Sequence, residues 1–386
     1  MKKKIGSCIT SSLLGLFVLF QQLTAHASAL TPLPLSYGAL LYDIYFPNGP
    51  GSHASINAGQ WASSIAAFNT GAQSKNLITR LYPYSADIEI TCSDVNNITT
   101  CNIVPGYTTG SASVQAYRSA FPNATILPIV DISFHYLNNS LLKTNTALAD
   151  NVAKSLVTQL CADANVNGVL FDLETSDAVS SPGLFEFYRK MSTMLASSTC
   201  IDSTHPKGRY MGIYLTPVGN DWATTQAIFA GNNNGYLAIP LYDVSAFSTP
   251  PKPDALSLYN GYVTSAVGHA KTNGTQYKVP YSVITPAGAS FGTFESYGIY
   301  NASEPAPTYF QLITDYSKTN ATQLAFVQNV RNVTCLNQNP YFMGMDYWSW
   351  TQYISPGTSG GSYELVMPNT PDSTTVTYLQ ANASCQ

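Results

Sequence analysis

The chain reads as a (β/α)8 TIM barrel with loop insertions. Eight short apolar, β-prone runs recur along its 386 residues, their starts 26 to 64 residues apart. Most gaps hold a strand, a loop, a helix and a return loop, the spacing of parallel βα units. Helical periodicity appears inside the gaps. The competing architecture, a doubly wound open sheet, would show a Gly-rich phosphate turn after its first strand. Tyr42-Asp43-Ile44-Tyr45-Phe46 is not such a turn.

The predicted strands are Gly38–Phe46, Leu77–Pro83, Thr125–Ser133, Asn167–Leu173, Arg209–Leu215, Gly235–Tyr242, Tyr277–Ile284 and Tyr341–Trp348. Between the third and fourth, Ala147–Cys161 sets Val152, Leu156, Val157 and Leu160 on one helical face. Between the fourth and fifth, Pro182–Leu195 does the same with Leu184, Phe187, Tyr188, Met191 and Leu195. Pro182 sits at the helix start, where a missing N–H costs nothing. Ser85–Gly110 reads as an excursion tied by Cys92 and Cys101, and Tyr297–Pro307 as a second insertion. A final helix is expected near Thr374–Ala381.

Residues 1–29 read as a signal peptide, and residues 30–386 as a single domain. Lys2, Lys3 and Lys4 form a positive start, and Leu13–Phe20 is apolar but too short to span a bilayer. Small-x-small cleavage sites end at Ala27 and Ala29. Removing this segment leaves 14 basic against 21 acidic residues, a formal charge of −7. It also leaves six cysteines: Cys92, Cys101, Cys161, Cys200, Cys335 and Cys385. An even count in an exported chain suggests disulfides, with 15 connectivities open. Cys92–Cys101 is the natural local staple; Cys161–Cys200 and Cys335–Cys385 are further candidates. The expected location is secreted, extracellular or periplasmic.

Charged residues make up only 10% of the chain. A nucleic-acid partner would need clustered Lys and Arg, so none is expected. No membrane anchor is expected, nor any cofactor or metal: the histidines are scattered and no C-x-x-C pair exists. A monomer is expected.

The chemistry concentrates at Asn167-Gly168-Val169-Leu170-Phe171-Asp172-Leu173-Glu174. Alternate residues on a strand share a face. Val169, Phe171 and Leu173 should face the helices, and Leu170, Asp172 and Glu174 the barrel axis. Two carboxylates at i and i+2 disfavour joint ionisation, so one should hold its proton towards neutrality and serve as an acid. The C-terminal end of a barrel strand is where such enzymes place catalytic groups. The plainer alternative is a helix cap neutralised by an Arg.

This segment resembles the D-G-x-D-x-D-x-E signature of family 18 glycoside hydrolases, the chitinases and endo-β-N-acetylglucosaminidases. Ile239-Pro240-Leu241-Tyr242-Asp243 is similar to that family's M-x-Y-D on strand six. Gly344-Met345-Asp346-Tyr347-Trp348 is similar to its last strand. The resemblance implies a TIM barrel that binds a carbohydrate polymer or oligosaccharide and hydrolyses β-linked N-acetylglucosamine-containing glycans. It implies that Glu174 protonates the glycosidic oxygen while the substrate's own 2-acetamido carbonyl attacks the anomeric carbon. Asp172 would orient the acetamide, Tyr242 would hydrogen-bond its oxygen, Asp243 would help position it, and Trp348 would floor the sugar. The chain departs from the pattern at Asn167 and Leu170, which replace the first and middle aspartates, and at Pro128–Asp131, which lacks S-x-G-G.

Asp43, Asp131, Asp346 and Tyr214 also fall near predicted strand ends, as a polar substrate cleft or as satisfied buried groups. Arg80 could pair with Asp131 or Asp346. Two other classes of reading stand beside the hydrolase: a non-catalytic glycan-binding barrel, and a family 25-like muramidase, which also carries D-x-E and resembles Trp350-Thr351-Gln352-Tyr353.

Overall fold

The computed structural model describes residues 36–41, 57–71, 77–132, 134, 137–175, 177–241, 255–286, 339–348, 350, 352–354 and 364–366. Residues 1–29, the Tyr297–Pro307 insertion, Cys335, Cys385 and the helix expected near Thr374 lie outside them.

Strand β1 (Ser36–Leu41) pairs in parallel with β2 (Ile78–Cys92) on one side and with β10 (Phe342–Trp348) on the other. From β2 the ring continues through β5 (Ile129–Asp131), β6 (Gly168–Asp172), β7 (Tyr210–Tyr214), β8 (Gly235–Pro240) and β9 (Tyr281–Pro286) to β10. The eight staves close a (β/α)8 barrel, and each contains or overlaps one of the eight predicted runs. The third stave is split. Its first part, β4 (Thr125–Ile126), also pairs with β2, and Pro128, which has no N–H to donate, falls in the break.

Helices α1 (Ala58–Gly71), α2 (Ala112–Ala120), α3 (Thr146–Ala162), α4 (Pro182–Leu195), α5 (Asp221–Ile228) and α6 (Ala255–Tyr277) alternate with the staves. The α3 start is capped by Asn145, whose Oδ1 accepts from Leu148 N–H at 2.9 Å. The predicted apolar faces of α3 and α4 are buried. Phe171 of β6 meets Phe187 and Tyr188 of α4 edge-on, with centroids 5.1 and 5.5 Å apart.

Two apolar layers result. The outer one lies between staves and helices and includes Val169, Phe171 and Leu173. The inner one fills the barrel with Leu40, Tyr82, Tyr84, Ile129, Leu170, Tyr236, Ala238, Ile284 and Met343. The in–out alternation read from the fourth run is therefore observed for Val169, Leu170, Phe171 and Leu173, whereas Glu174 lies beyond the strand and is exposed.

Gly38 is required by packing. A Cβ there would strike Asp346 Oδ1 and stand 2.8 Å from the Tyr82 ring. Gly38→Ala is expected to cost about 1–3 kcal/mol as overpacking. Urea denaturation checks this, and a loss below about 0.5 kcal/mol would contradict it.

The segment Ser85–Gly110 is more ordered than an excursion. β2 runs on to Cys92 and turns back as antiparallel β3 (Cys101–Pro105), with Cys92 opposite Cys101 and the two disulfide-bonded. A second disulfide joins Cys161 at the end of α3 to Cys200. Both match pairings expected from the sequence. Among the described residues no helix is long and apolar enough to cross a membrane.

Candidate active site

The fourth stave is anchored at its entry by Asn167. Its Oδ1 accepts from Ile126 N–H at 2.9 Å and Arg118 Nη2 at 2.8 Å. Its Nδ2 lies 3.2 Å from His205 Nε2. Asn167 is thus a structural latch at the end remote from Asp172. Gly168 follows with φ +157°, and a Cβ there would collide with the Tyr210 carbonyl. Leu170 then points inwards and is buried in the inner layer.

His205 is almost fully buried. Arg209 Nη1 donates to its Nε2 at 2.7 Å, and Asp202 Oδ1 lies 3.0 Å from its Nδ1. Nε2 must therefore accept, which makes Nδ1 the protonated, donating nitrogen. Burial first, and the Arg209 charge second, hold the imidazole below its ordinary pKa. As the pH falls through about 6.5 the unfolded chain takes up a proton that the native imidazole refuses. This site's contribution to stability is expected to fall with it. Urea midpoints at pH 7.5 and 5 should differ more in the wild type than in His205→Gln; an equal difference would contradict this.

At the exit of the barrel three aspartates stand side by side. Asp87 of β2, Asp131 of β5 and Asp172 of β6 are successive Cα partners on neighbouring strands. Glu174 lies just beyond and is exposed. Burial, then the charges of Asp131 and Glu174, push the Asp172 carboxyl well above the usual range. Its Oδ1 is shielded from solvent and has no hydrogen-bond partner. Asp131 is pushed up to about 7, first by burial, against the Ile132 N–H bond at 2.5 Å, with Asp87 and Glu174 adding. Tyr84 OH donates to Asp87 Oδ1 at 2.5 Å.

Asp87 is invisible to simple alternation. Tyr82 and Tyr84 face inwards, so the next inward residue should be Ala86. A register irregularity between Tyr84 and Ala86 shifts the phase and brings Asp87 beside Asp131. The backbone after Glu174 is held by Lys143, whose Nζ reaches Thr175 Oγ1 at 2.6 Å and Asp177 Oδ1 at 2.8 Å. No sequence spacing links Lys143 to that loop; the fold does.

Asp346 sits deeper, inside the barrel and fully buried. Arg80 Nε and Nη2 donate to its Oδ1 at 3.0 and 2.6 Å, and Tyr82 OH to its Oδ2 at 3.2 Å. Of the two candidate partners for Arg80, it is Asp346. Tyr214 is half-buried at the end of β7, packed on the inner layer. Trp348 ends β10, its backbone paired with Pro286; its side chain lies outside the described parts. Asp43, Tyr242 and Asp243 lie outside the described residues. Several aromatics near predicted strand ends belong to the core: Tyr82, Tyr281, Tyr347 and Trp350 are all fully buried. Among the described residues no three His, Cys, Asp or Glu side chains converge as a metal-holding group.

No protein-family model matches the chain, and neither does any curated protein. Solved structures with a similar course include a class V chitinase from Pseudomonas fluorescens Pf-5, 11% identical, covering 91% of this chain and 100% of that one at a TM-score of 0.49. A GH18 chitinase from Cycas revoluta in complex with allosamidin is 14% identical, covering 82% and 94% at 0.42. Xylanase XynB from Paenibacillus barcinonensis is 7% identical, covering 89% and 94% at 0.43.

Proposed function

We propose that this chain is a secreted glycoside hydrolase acting on β-linked N-acetylglucosamine-containing glycans by substrate-assisted acid catalysis. The observation that supports it best is the carboxylate pair at the exit of the fourth stave. Asp172 is proton-retaining and turned to the barrel interior; Glu174 is solvent-facing two residues on. A glycosidase acid must reach a solvent-filled cleft to protonate the leaving oxygen, and Glu174 has that exposure. The group that orients the acetamide must sit against the barrel mouth, where Asp172 stands. The reaction needs no enzyme nucleophile, because the 2-acetamido oxygen attacks the anomeric carbon as the glycosidic bond breaks. The later step returns the proton through Glu174 as water opens the ring intermediate. Tyr242, Asp243 and Trp348 keep the roles that the motif resemblance gives them.

Leu170 favours a second reading. It puts an apolar side chain where the resembled motif carries an aspartate, which suits a barrel that binds glycans without cleaving them. Incubation with chitooligosaccharides and with peptidoglycan, followed by product analysis beside Glu174→Gln, separates the readings. Acetamido-sugar products that depend on Glu174 support the hydrolase. Binding without turnover supports the binder, and products from peptidoglycan alone support a muramidase.

A further inference from the structure

We propose that Lys143 is a positioning residue for Glu174: its clamp across the exits of the third and fourth staves sets how well Glu174 delivers a proton. The role rests on the hydrolase reading and adds to it a residue from outside the strands. Strand β6 ends at Asp172, so Glu174 stands beyond the ladder that fixes the stave. An acid that must meet a glycosidic oxygen tolerates little drift, since about 1 Å of misplacement costs roughly 100-fold in rate. Contacts other than those of the sheet have to hold it.

The residues on either side of Glu174 are anchored. Leu173 is buried in the outer layer. On the other side Lys143 Nζ donates to Thr175 Oγ1 at 2.6 Å and to Asp177 Oδ1 at 2.8 Å, and Thr175 Oγ1 donates to the same carboxylate oxygen. The three polar groups close a triangle that begins at the residue after Glu174. The ammonium also lies 4.8 Å from the centre of the Phe134 ring, on the segment after β5. A ring face attracts a cation, so the lysine ties the exit of β5 to that of β6. From Asp177 the chain is led into α4. The Asp177 carbonyl accepts from Ser180 and Ser181 N–H at 3.1 and 3.0 Å, and Ala178 and Val179 are buried.

Lys143 is itself rooted. It ends a 3-10 turn, Leu141–Lys143, in which Leu142 is fully buried. The Leu141 carbonyl accepts from Thr144 and Asn145 N–H at 3.1 and 2.8 Å, and Asn145 caps α3. The start of α4 comes so close that a Cβ on Gly183 would collide with the Leu142 carbonyl. The clamp adds little to stability. The Lys143 and Asp177 side chains are 28% and 41% exposed, and ion pairs so open to water are weak. What it supplies is placement, the property a general acid depends on.

The test compares wild type, Lys143→Met, Lys143→Arg and Glu174→Gln, each as the whole protein, on two kinds of substrate. One is a chitooligosaccharide, whose leaving sugar needs a proton. The other is an aryl chitooligoside whose acidic phenol leaves without one. Losing a general acid slows only the leaving group that needs protonation. Lys143→Met is expected to lower kcat/KM on the chitooligosaccharide about 10- to 100-fold, and on the aryl substrate by less than about threefold. Glu174→Gln should show the same bias, and Lys143→Arg, which keeps the donors, should recover part of the loss. The urea midpoint of Lys143→Met should stay near that of the wild type, while hydrogen exchange over residues 173–181 quickens. Equal losses on both substrates, an unmoved rate or unchanged exchange would overturn the proposal; the hydrolase reading then stands if cleavage still depends on Glu174. A wild type that cleaves no glycan, or cleavage that survives Glu174→Gln, removes the hydrolase reading and this role with it. If Lys143→Met does not fold, Asp177→Asn, which takes the carboxylate out of the clamp, carries the same comparison of leaving groups.

Discussion

Asp346→Ala is expected to destabilise the fold by about 3–5 kcal/mol, the range for a buried ion pair deprived of one partner. Arg80 has no exposed surface, and its guanidinium spends two donors on Asp346 Oδ1. Its remaining bonds, to Ser36 Oγ at 3.1 Å and Met343 O at 3.3 Å, are neutral. Burial opposes its charge, and Asp346, Tyr82 and Tyr236 together more than offset that. Without the carboxylate a cation remains inside the barrel with no counter-charge. The loss spreads further: Tyr82 loses its acceptor, and Tyr82 is in turn the acceptor for Tyr236 OH at 3.1 Å. The double variant Arg80→Met/Asp346→Leu removes both charges and should lose less than the single one. Urea unfolding of the three proteins measures both quantities. A loss below about 1 kcal/mol in Asp346→Ala would mean that the pair is hydrated and the barrel interior is not dry.

Glu174→Gln is expected to abolish hydrolysis with no effect on the fold. Removing a general acid costs about 100- to 10,000-fold in rate, and the amide keeps the shape of the side chain while losing the proton. The residue is exposed and lies two residues beyond the end of β6, so stability should change by less than about 0.5 kcal/mol. The wild type and variant would be compared on chitooligosaccharides under saturating substrate, with circular dichroism as the control for folding. Equal rates in the two proteins would remove Glu174 from the chemistry and the hydrolase reading with it.

Much of the barrel was legible because parallel staves and their helices are apolar on predictable faces. The run at Asn167–Leu173 shows this most directly. Its alternation placed Phe171 against α4 and Leu170 in the interior, and both positions are observed. Local spacing singled out the Cys92–Cys101 disulfide, while Cys161–Cys200 was one candidate among open pairings that the fold selected. Asp172 stood out because a carboxylate in an apolar strand has to be explained by a partner or by chemistry.

What the sequence determined alone is periodic and local: eight staves, two helical faces, an acidic pair at the end of the fourth run, and a chain poor in charge. What only the tertiary structure decided depends on neighbours distant in the chain. Arg80 chose Asp346 rather than Asp131 because register sets Asp346 level with Gly38 and Gly38 level with Arg80, while Asp131 is level with Asp87 further along β2. Asp87 joined the acidic row because an irregularity in β2 changed which residue faces inwards. Tyr82 is buried inside the closed ring, and Tyr281 and Trp350 in the outer layer between staves and helices. The sparse acids carry most of that division. Periodicity can say that a carboxylate faces the axis, but its depth and its neighbours are set by register between strands, which no local pattern encodes.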